Sequence, residues 1–128
     1  MEALAIVTSL ALMQAVYFAL QVGGARQKHG VSAPKSSGSD EFERHNRVHL
    51  NTLEQLIVLL PAMWMFGYFI NPQWAAGLGL GFILSRLMYR RAYLKDPASR
   101  GKAFGAGFVI QAILILGSVV GAVMSWMR

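Results

Sequence analysis

Cysteine is absent from the 128 residues of this chain, and charged residues make up only 14% of it. Without cysteine there can be no disulfide, no thiolate metal site and no protein thiol that acts as a nucleophile. A soluble domain usually carries about 25% charged residues, so the shortage of charge argues against a soluble fold. The histidines, His29, His45 and His49, lack the paired spacing of a metal site, and we expect no bound metal.

Long apolar blocks take the place of the missing charge. They raise the hydrophobic share to 55% and the mean hydropathy to +0.42. A hydrocarbon core about 30 Å thick needs roughly 20 apolar residues for each helical span. The blocks predict helices over residues 3–24, 43–70, 73–93 and 97–126. The expected fold class is therefore all-α, an integral membrane four-helix bundle that occupies residues 1–128 as a single domain.

The fourth block contains small residues at regular spacing, as Gly101-x3-Gly105 and Gly117-x3-Gly121. Such spacing permits close helix approach, either inside the bundle or between subunits. The alternative is that these glycines only reduce the bulk of a membrane helix. The preceding Asp96-Pro97 pair favours a helix start, with aspartate as the N-cap and proline in the first turn.

The basic residues are concentrated at one end of the expected bundle. Eleven of the twelve lysines and arginines flank the first and third connections, and the remaining one is Arg128. The positive-inside rule places the basic end in the cytoplasm and both termini on the opposite side. Although the net charge is +6, no nucleic-acid partner is expected, because the basic residues flank apolar blocks rather than forming a soluble basic module.

A polar stripe enters the second block from the basic end. At 100° per residue, Arg44, Arg47, Asn51 and Glu54 fall within about 80° of one another on a helix. Glu54 is followed at once by an apolar run, where an ionised carboxylate costs several kcal/mol unless it is paired. Arg47 or Arg26 could supply the partner. The alternative is an ion pair that only locks two helices together.

The third and fourth blocks carry polar side chains of matching character. Arg86, Tyr89 and Tyr93 share one helix face, although tyrosines at this level also form interfacial aromatic belts. Arg100 lies in the first turn of the fourth helix, where the helix dipole favours an anion nearby. The combined set suits a small, multiply charged peptide-like ligand, with arginines for its carboxylates and Glu54 for its ammonium group.

The segment from Arg26 to Glu54 contains the motif FERxxRVHxNxxE, and the later Arg-x2-Tyr-x3-Tyr followed by Arg100 agrees with it in type and order. These motifs resemble the family of membrane-associated proteins in eicosanoid and glutathione metabolism (MAPEG), and within it a small, bacterial-type member of the microsomal glutathione transferase branch. The resemblance implies a homotrimer in a bacterial inner membrane rather than the endoplasmic reticulum. It also implies that glutathione, the co-substrate, lies between neighbouring subunits near the cytoplasmic face.

The resemblance further implies roles for particular residues, which sort into glutathione ligands and one catalytic arginine. The expected ligands are Arg26, Arg47, Asn51, Glu54, Tyr89 and Tyr93, with Arg44, His49 and Arg86 as additional candidates. Arg100 is expected to stabilise the glutathione thiolate, which attacks a lipophilic electrophile or reduces a lipid hydroperoxide. Gln27 and Gln55 depart from the pattern, because the leukotriene synthase branch has an arginine and a tyrosine there.

Two other functions remain open from the sequence. A non-catalytic lipid-binding scaffold of the same family would lack the thiolate-stabilising arginine, yet Arg100 is present. A small multidrug transporter would need a membrane-embedded carboxylate near the midplane, often in its first helix, where this chain offers only Gln14.

Overall fold

The computed structural model describes all 128 residues and contains four long helices with no strand. Helix α1 spans Glu2–His29, α2 spans Asp40–Phe69, α3 spans Pro72–Lys95 and α4 spans Gly101–Trp126. The all-α, four-helix architecture expected from the sequence is therefore confirmed.

Two helix boundaries at the basic end differ from the expected ones. Helix α1 ends at His29 rather than near Gly24, because Gly30 adopts a left-handed conformation (φ 64°) whose N–H donates to the Arg26 carbonyl. Helix α2 begins earlier than expected, since the Ser39 side chain caps it by accepting from the Phe42 N–H. The first connection is thus shorter, and both helices project further at this end.

The other two connections are also fixed by side-chain caps. Asn71 accepts from the N–H groups of Gln73 and Trp74 and starts α3. Asp96 accepts from the Ala98 N–H, as its position before proline predicts. The helix that it caps is first a 3-10 turn, Pro97–Arg100, and the α-helix begins only at Gly101.

The main hydrophobic core draws side chains from all four helices. Leu4 of α1, Leu59 and Met63 of α2, Phe82 of α3 and Leu114 of α4 are all fully buried within it. A smaller cluster of Phe18, Val48, Tyr89 and Ala103 again takes one residue from each helix. This second cluster closes the bundle where α1 and α3 end and α2 and α4 begin, which we call the basic end.

Three segments are long and apolar enough to cross a membrane: α1, α2 and Pro97–Trp126. Helix α3 is less apolar, because it contains Gly77, Gly79, Gly81 and the charged Arg86. Its 24 residues extend about 36 Å, enough for the hydrocarbon core, and it packs against the other three helices. The protein is an integral membrane helical bundle, in which α3 remains the predicted fourth span.

The two glycine pairs of α4 have different surroundings. Gly117 and Gly121 lie against α2, at Phe66 and at Phe69 with Ile70, whereas Gly101 and Gly105 face open space. A Cβ at Gly121 would lie 2.9 Å from the Cβ of Phe69 and 2.6 Å from Cδ1 of Ile70. The second pair therefore permits close helix approach inside the bundle, which is one of the roles that its spacing left open.

Replacing Gly121 with alanine is expected to destabilise the bundle, because the new methyl group overlaps the backbone-proximal Cβ of Phe69. The expected loss is about 1–2 kcal/mol after the gain in helix propensity is subtracted. Gly105→Ala is the matched control, and its open surroundings predict no loss. Unfolding of both variants in detergent micelles measures the difference, and equal stabilities would show that the α2–α4 contact tolerates a side chain.

Candidate active site

A cavity of about 310 Å³ opens at the basic end between α2, α3 and the start of α4. It is lined by Arg47, Asn51, Tyr89, Tyr93, Arg100 and Phe104. Five of these six residues belong to the set that the sequence singles out. Phe104 was missed, although its position four residues after Arg100 in the expected fourth helix could have indicated it.

The aromatic wall of the cavity is formed by two stacked tyrosines. The ring centroids of Tyr89 and Tyr93 lie 5.7 Å apart, and the planes of the rings differ by 24°. Tyr89 is buried, and its ring also lies beside the ring of Phe104. The guanidinium of Arg100 lies 5.9 Å from the Tyr93 ring. The tyrosines therefore belong to an organised pocket rather than to a lipid-facing belt.

Arg100 is the exposed cation at the mouth of this cavity. Its Nη1 donates to the Pro97 carbonyl at 2.7 Å, within the 3-10 turn, and the side chain has no carboxylate partner. Because the turn ends at the N-terminus of α4, the dipole of that helix points its positive end to the same place. Both features favour an anion beside Tyr93.

Arg86 lies behind the cavity and is only 2% exposed. Its Nη2 donates to Asn51 Oδ1 at 2.8 Å, and its Nε and Nη2 donate to Thr52 Oγ1 at 3.2 and 3.0 Å. Its guanidinium also lies 4.1 Å from the Tyr89 ring. Arg86 thus fixes the amide of Asn51, leaving the Asn51 Nδ2 group for a ligand or for Glu54. Thr52, which has no distinguishing sequence pattern, completes this network.

Glu54 pairs with a residue of its own helix. Arg47 Nη1 lies 3.8 Å from Glu54 Oε1, and their side chains are 52% and 56% exposed. The alternative that Glu54 locks two helices is therefore wrong within one chain. The neighbouring Ile57 is 74% exposed, so this face of α2 points away from its own bundle. A half-exposed carboxylate this far along an apolar helix needs a cover other than lipid.

The remaining candidates lie outside the cavity. Arg26 Nη1 donates to the Lys35 carbonyl at 2.6 Å, and its guanidinium stacks 4.6 Å from the Phe42 ring, beside the first connection. Arg44 Nη1 donates to the Leu94 carbonyl at 3.0 Å and so ties the start of α2 to the end of α3. His49 is half-buried on α2 and does not line the cavity.

One chain therefore brings together five of the seven principal site residues, with Glu54 at the rim and Arg26 apart.

Fold and site together define a helical integral membrane protein with a cationic, tyrosine-lined cavity at its basic end. The sequence profile of the MAPEG family matches residues 4–120, and the chain belongs to this family. The family resemblance seen in the motifs is thereby confirmed.

Individual relatives match over most of the chain. An uncharacterized protein from Synechocystis sp. is 38% identical over 116 residues, which cover 91% of this chain and 85% of that protein. Microsomal glutathione S-transferase 2 from Homo sapiens is 37% identical over 124 residues, covering 97% of this chain and 84% of the human protein. Leukotriene C4 synthase from Rattus norvegicus is 38% identical over 97 residues, covering 76% and 65% respectively.

Proposed function

We propose that this chain is a membrane-bound glutathione transferase that holds glutathione as the thiolate in the cavity between Arg47 and Arg100. The observation that carries the proposal is the exposed guanidinium of Arg100, which has no carboxylate partner and stands beside Tyr93 in the same cavity as Asn51. Membership of the MAPEG family and the similarity to microsomal glutathione S-transferase 2 support the choice of glutathione.

Glutathione carries two carboxylates, one ammonium group and one thiol, and the site offers a partner for each. Arginine binds carboxylates through charge-assisted hydrogen bonds, and Arg47 is available at one side of the cavity. Glu54 accepts from the ammonium group, while Asn51 and the tyrosine hydroxyls bind peptide groups and carboxylate oxygens. The thiol then lies toward Arg100.

The proposed chemistry is activation of the thiol by charge. A free thiol has a pKa of about 8.5, and a nearby cation and helix N-terminus lower it. The thiol proton passes to water and the thiolate sulfur attacks an electrophilic carbon, with loss of a leaving group or opening of an epoxide. With a lipid hydroperoxide, the sulfur attacks the terminal oxygen and releases the alcohol. A second glutathione then converts the resulting sulfenic acid to the disulfide and water.

We further propose that the working unit is a homotrimer in which each site lies between two subunits. Arg26 lies apart from the cavity of its own chain, and Glu54 is half-exposed on an outward face of α2. A neighbouring copy would cover Glu54 and bring its own Arg26 toward glutathione. The single domain of residues 1–128 would stand with its basic end in the cytoplasm, in a bacterial inner membrane, with both termini on the other side.

Mixing two inactive variants tests the shared site. Arg26→Ala and Arg100→Ala are each expected to be nearly inactive alone, and their co-expressed mixture to regain activity. If subunits mix at random in equal amounts, about a quarter of the interfaces combine an intact Arg26 with an intact Arg100 from the other chain. Recovery near a quarter of the wild-type rate supports the shared site, whereas no recovery would place both arginines in one chain's site.

The activity itself is tested with the wild-type protein in detergent or liposomes. We expect glutathione-dependent turnover of a chlorodinitrobenzene, a lipid epoxide or a lipid hydroperoxide. Binding of these lipophiles without turnover of any of them would instead identify a non-catalytic lipid-binding scaffold. Proton-driven export of a lipophilic cation from proteoliposomes without glutathione would identify a transporter and overturn the proposal.

A further inference from the structure

A second polar concavity lies at the basic end, between α1 and the first turns of α2, and shares no lining residue with the active-site cavity. Its volume is about 220 Å³, and its polar walls are Gln21 and Lys28 of α1 and Glu41 and His45 of α2. Leu20, Gly24 and Ala25 complete it. None of these residues belongs to the proposed glutathione site, so the concavity is distinct from that site.

Arg90 of α3 lies behind the wall of this concavity and is joined to it by one hydrogen bond to Gln21. Its Nη2 donates to the Oε1 of Gln21, and its guanidinium lies 5.7 Å from the Tyr17 ring. Its Nε is buried and has no hydrogen-bond partner, the only such side-chain atom in the chain. Buried polar groups are almost always hydrogen-bonded, so Arg90 is a cation whose charge and hydrogen bonding are incompletely satisfied within the chain.

The charges around the concavity leave Arg90 uncompensated. Glu41 is the one carboxylate in its wall, and it is already held by Lys28 Nζ at 3.2 Å and by His29 Nε2 at 2.8 Å. No carboxylate lies within ion-pair distance of Arg90. The concavity therefore keeps a positive balance and favours an anion, despite the carboxylate in its wall.

An apolar strip continues from the concavity along α1. Leu20 belongs to both, and the strip is completed by Leu12, Met13, Val16 and Tyr17. All five strip residues are exposed, and the strip extends about 12 Å along the helix axis from the concavity into the apolar part of α1. A cationic concavity at the end of an apolar strip matches a ligand with an anionic head and a hydrocarbon tail.

We propose that this surface binds an anionic phospholipid, with its phosphate in the concavity near Arg90 and Lys28 and one acyl chain along the strip. A basic pocket between helices at the level of the headgroups is a common setting for such lipids. The membrane supplies this ligand at the required depth, where the phosphate oxygens can accept from Lys28 and lie near the positive charge of Arg90 behind Gln21. A free phosphate ion would fill the concavity but would leave the strip uncovered.

The test compares two lipids that share their acyl chains and differ in the head group, which is anionic in one and zwitterionic in the other. Purified protein in a neutral detergent is melted with dioleoylphosphatidylglycerol or with dioleoylphosphatidylcholine. We expect the anionic lipid to raise the melting temperature of the wild type by roughly 5 °C or more at saturation, relative to the zwitterionic lipid. In Arg90→Gln this difference should disappear. Arg91→Gln is the matched control, because it removes the same charge from the next, exposed position and should keep the difference.

Several outcomes would overturn the proposal. Equal melting temperatures of the wild type in the two lipids would show that no anionic lipid is preferred. Equal loss of the difference in Arg90→Gln and Arg91→Gln would mean diffuse surface charge rather than a site. The same rise with inorganic phosphate alone would identify a free anion as the ligand. If Arg90→Gln does not fold, Lys28→Gln replaces it, and a difference as large as in the wild type would then reject the site.

Discussion

Replacing Arg100 with alanine is expected to slow glutathione conjugation at pH 7 by about 25-fold, the change in thiolate fraction when a thiol pKa returns from about 6.5 to about 8.5. The physical reason is that Arg100 is the uncompensated cation at the mouth of the cavity, with the N-terminus of α4 behind it. Removing the guanidinium takes away the charge that accounts for most of the stabilisation of the thiolate. The rate constant at saturating glutathione, measured with one soluble electrophile, reports the effect.

The pH profile separates loss of the thiolate from loss of binding. A thiolate is present above its pKa, so the wild-type rate should fall only below about pH 6.5, and the Arg100→Ala rate already below about pH 8.5. At pH 9 the two rates should therefore converge. Lys102→Ala removes a like charge from an exposed position two residues away and should keep the wild-type profile. A profile unchanged by Arg100→Ala would contradict the thiolate role.

The second large effect concerns Thr52, which accepts hydrogen bonds from Arg86 behind the cavity. Thr52→Val keeps the shape of the side chain but removes the oxygen that accepts two hydrogen bonds from the buried Arg86. We expect a loss of about 2–3 kcal/mol in the free energy of unfolding, because hydrogen bonds to a charged group are lost in a buried place. The Michaelis constant for glutathione should also rise, since Arg86 orients the amide of Asn51.

A matched control for this substitution is Thr8→Val in α1. The Thr52 hydroxyl donates to the Val48 carbonyl one turn back, and the Thr8 hydroxyl donates in the same way to the Leu4 carbonyl. Thr8 also accepts from Trp64 Nε1, but it touches no charged group. Thr8→Val should cost about 1 kcal/mol or less and leave glutathione binding unchanged. Equal losses for the two variants, with equal Michaelis constants, would remove the proposed link between Arg86 and the cavity.

The sequence predicts much of the fold, because membrane helices leave strong local signals. The apolar blocks locate the four helices, and the predicted cap at Asp96 marks the start of the last one. The extension of α1 to His29 was missed, because the expected end was set where the apolar block stops, near Gly24. The polar residues after Gly24 continue the same helix beyond the apolar block. The 3-10 turn before α4 was missed too, because a proline after an N-cap suits either kind of helix.

The sequence predicts some residues of the site and misses others. Helical spacing places Arg47 with Asn51, and Tyr89 with Tyr93, so each stripe was found. Spacing gives the direction of a side chain but not its burial, so it named Arg86 as an additional ligand candidate without showing that Arg86 lies behind the cavity and donates to Asn51. Thr52 and Phe104 become meaningful only once the helices are packed against one another.

The central claim is that the cavity at the basic end holds glutathione as its thiolate beside Arg100. The most direct measurement is the ultraviolet absorbance of the thiolate when glutathione is added to the protein at neutral pH, with bound glutathione counted in parallel by equilibrium dialysis. We expect a thiolate signal that rises with site occupancy in the wild type and is lost in Arg100→Ala. Bound glutathione without a thiolate signal in the wild type would contradict it.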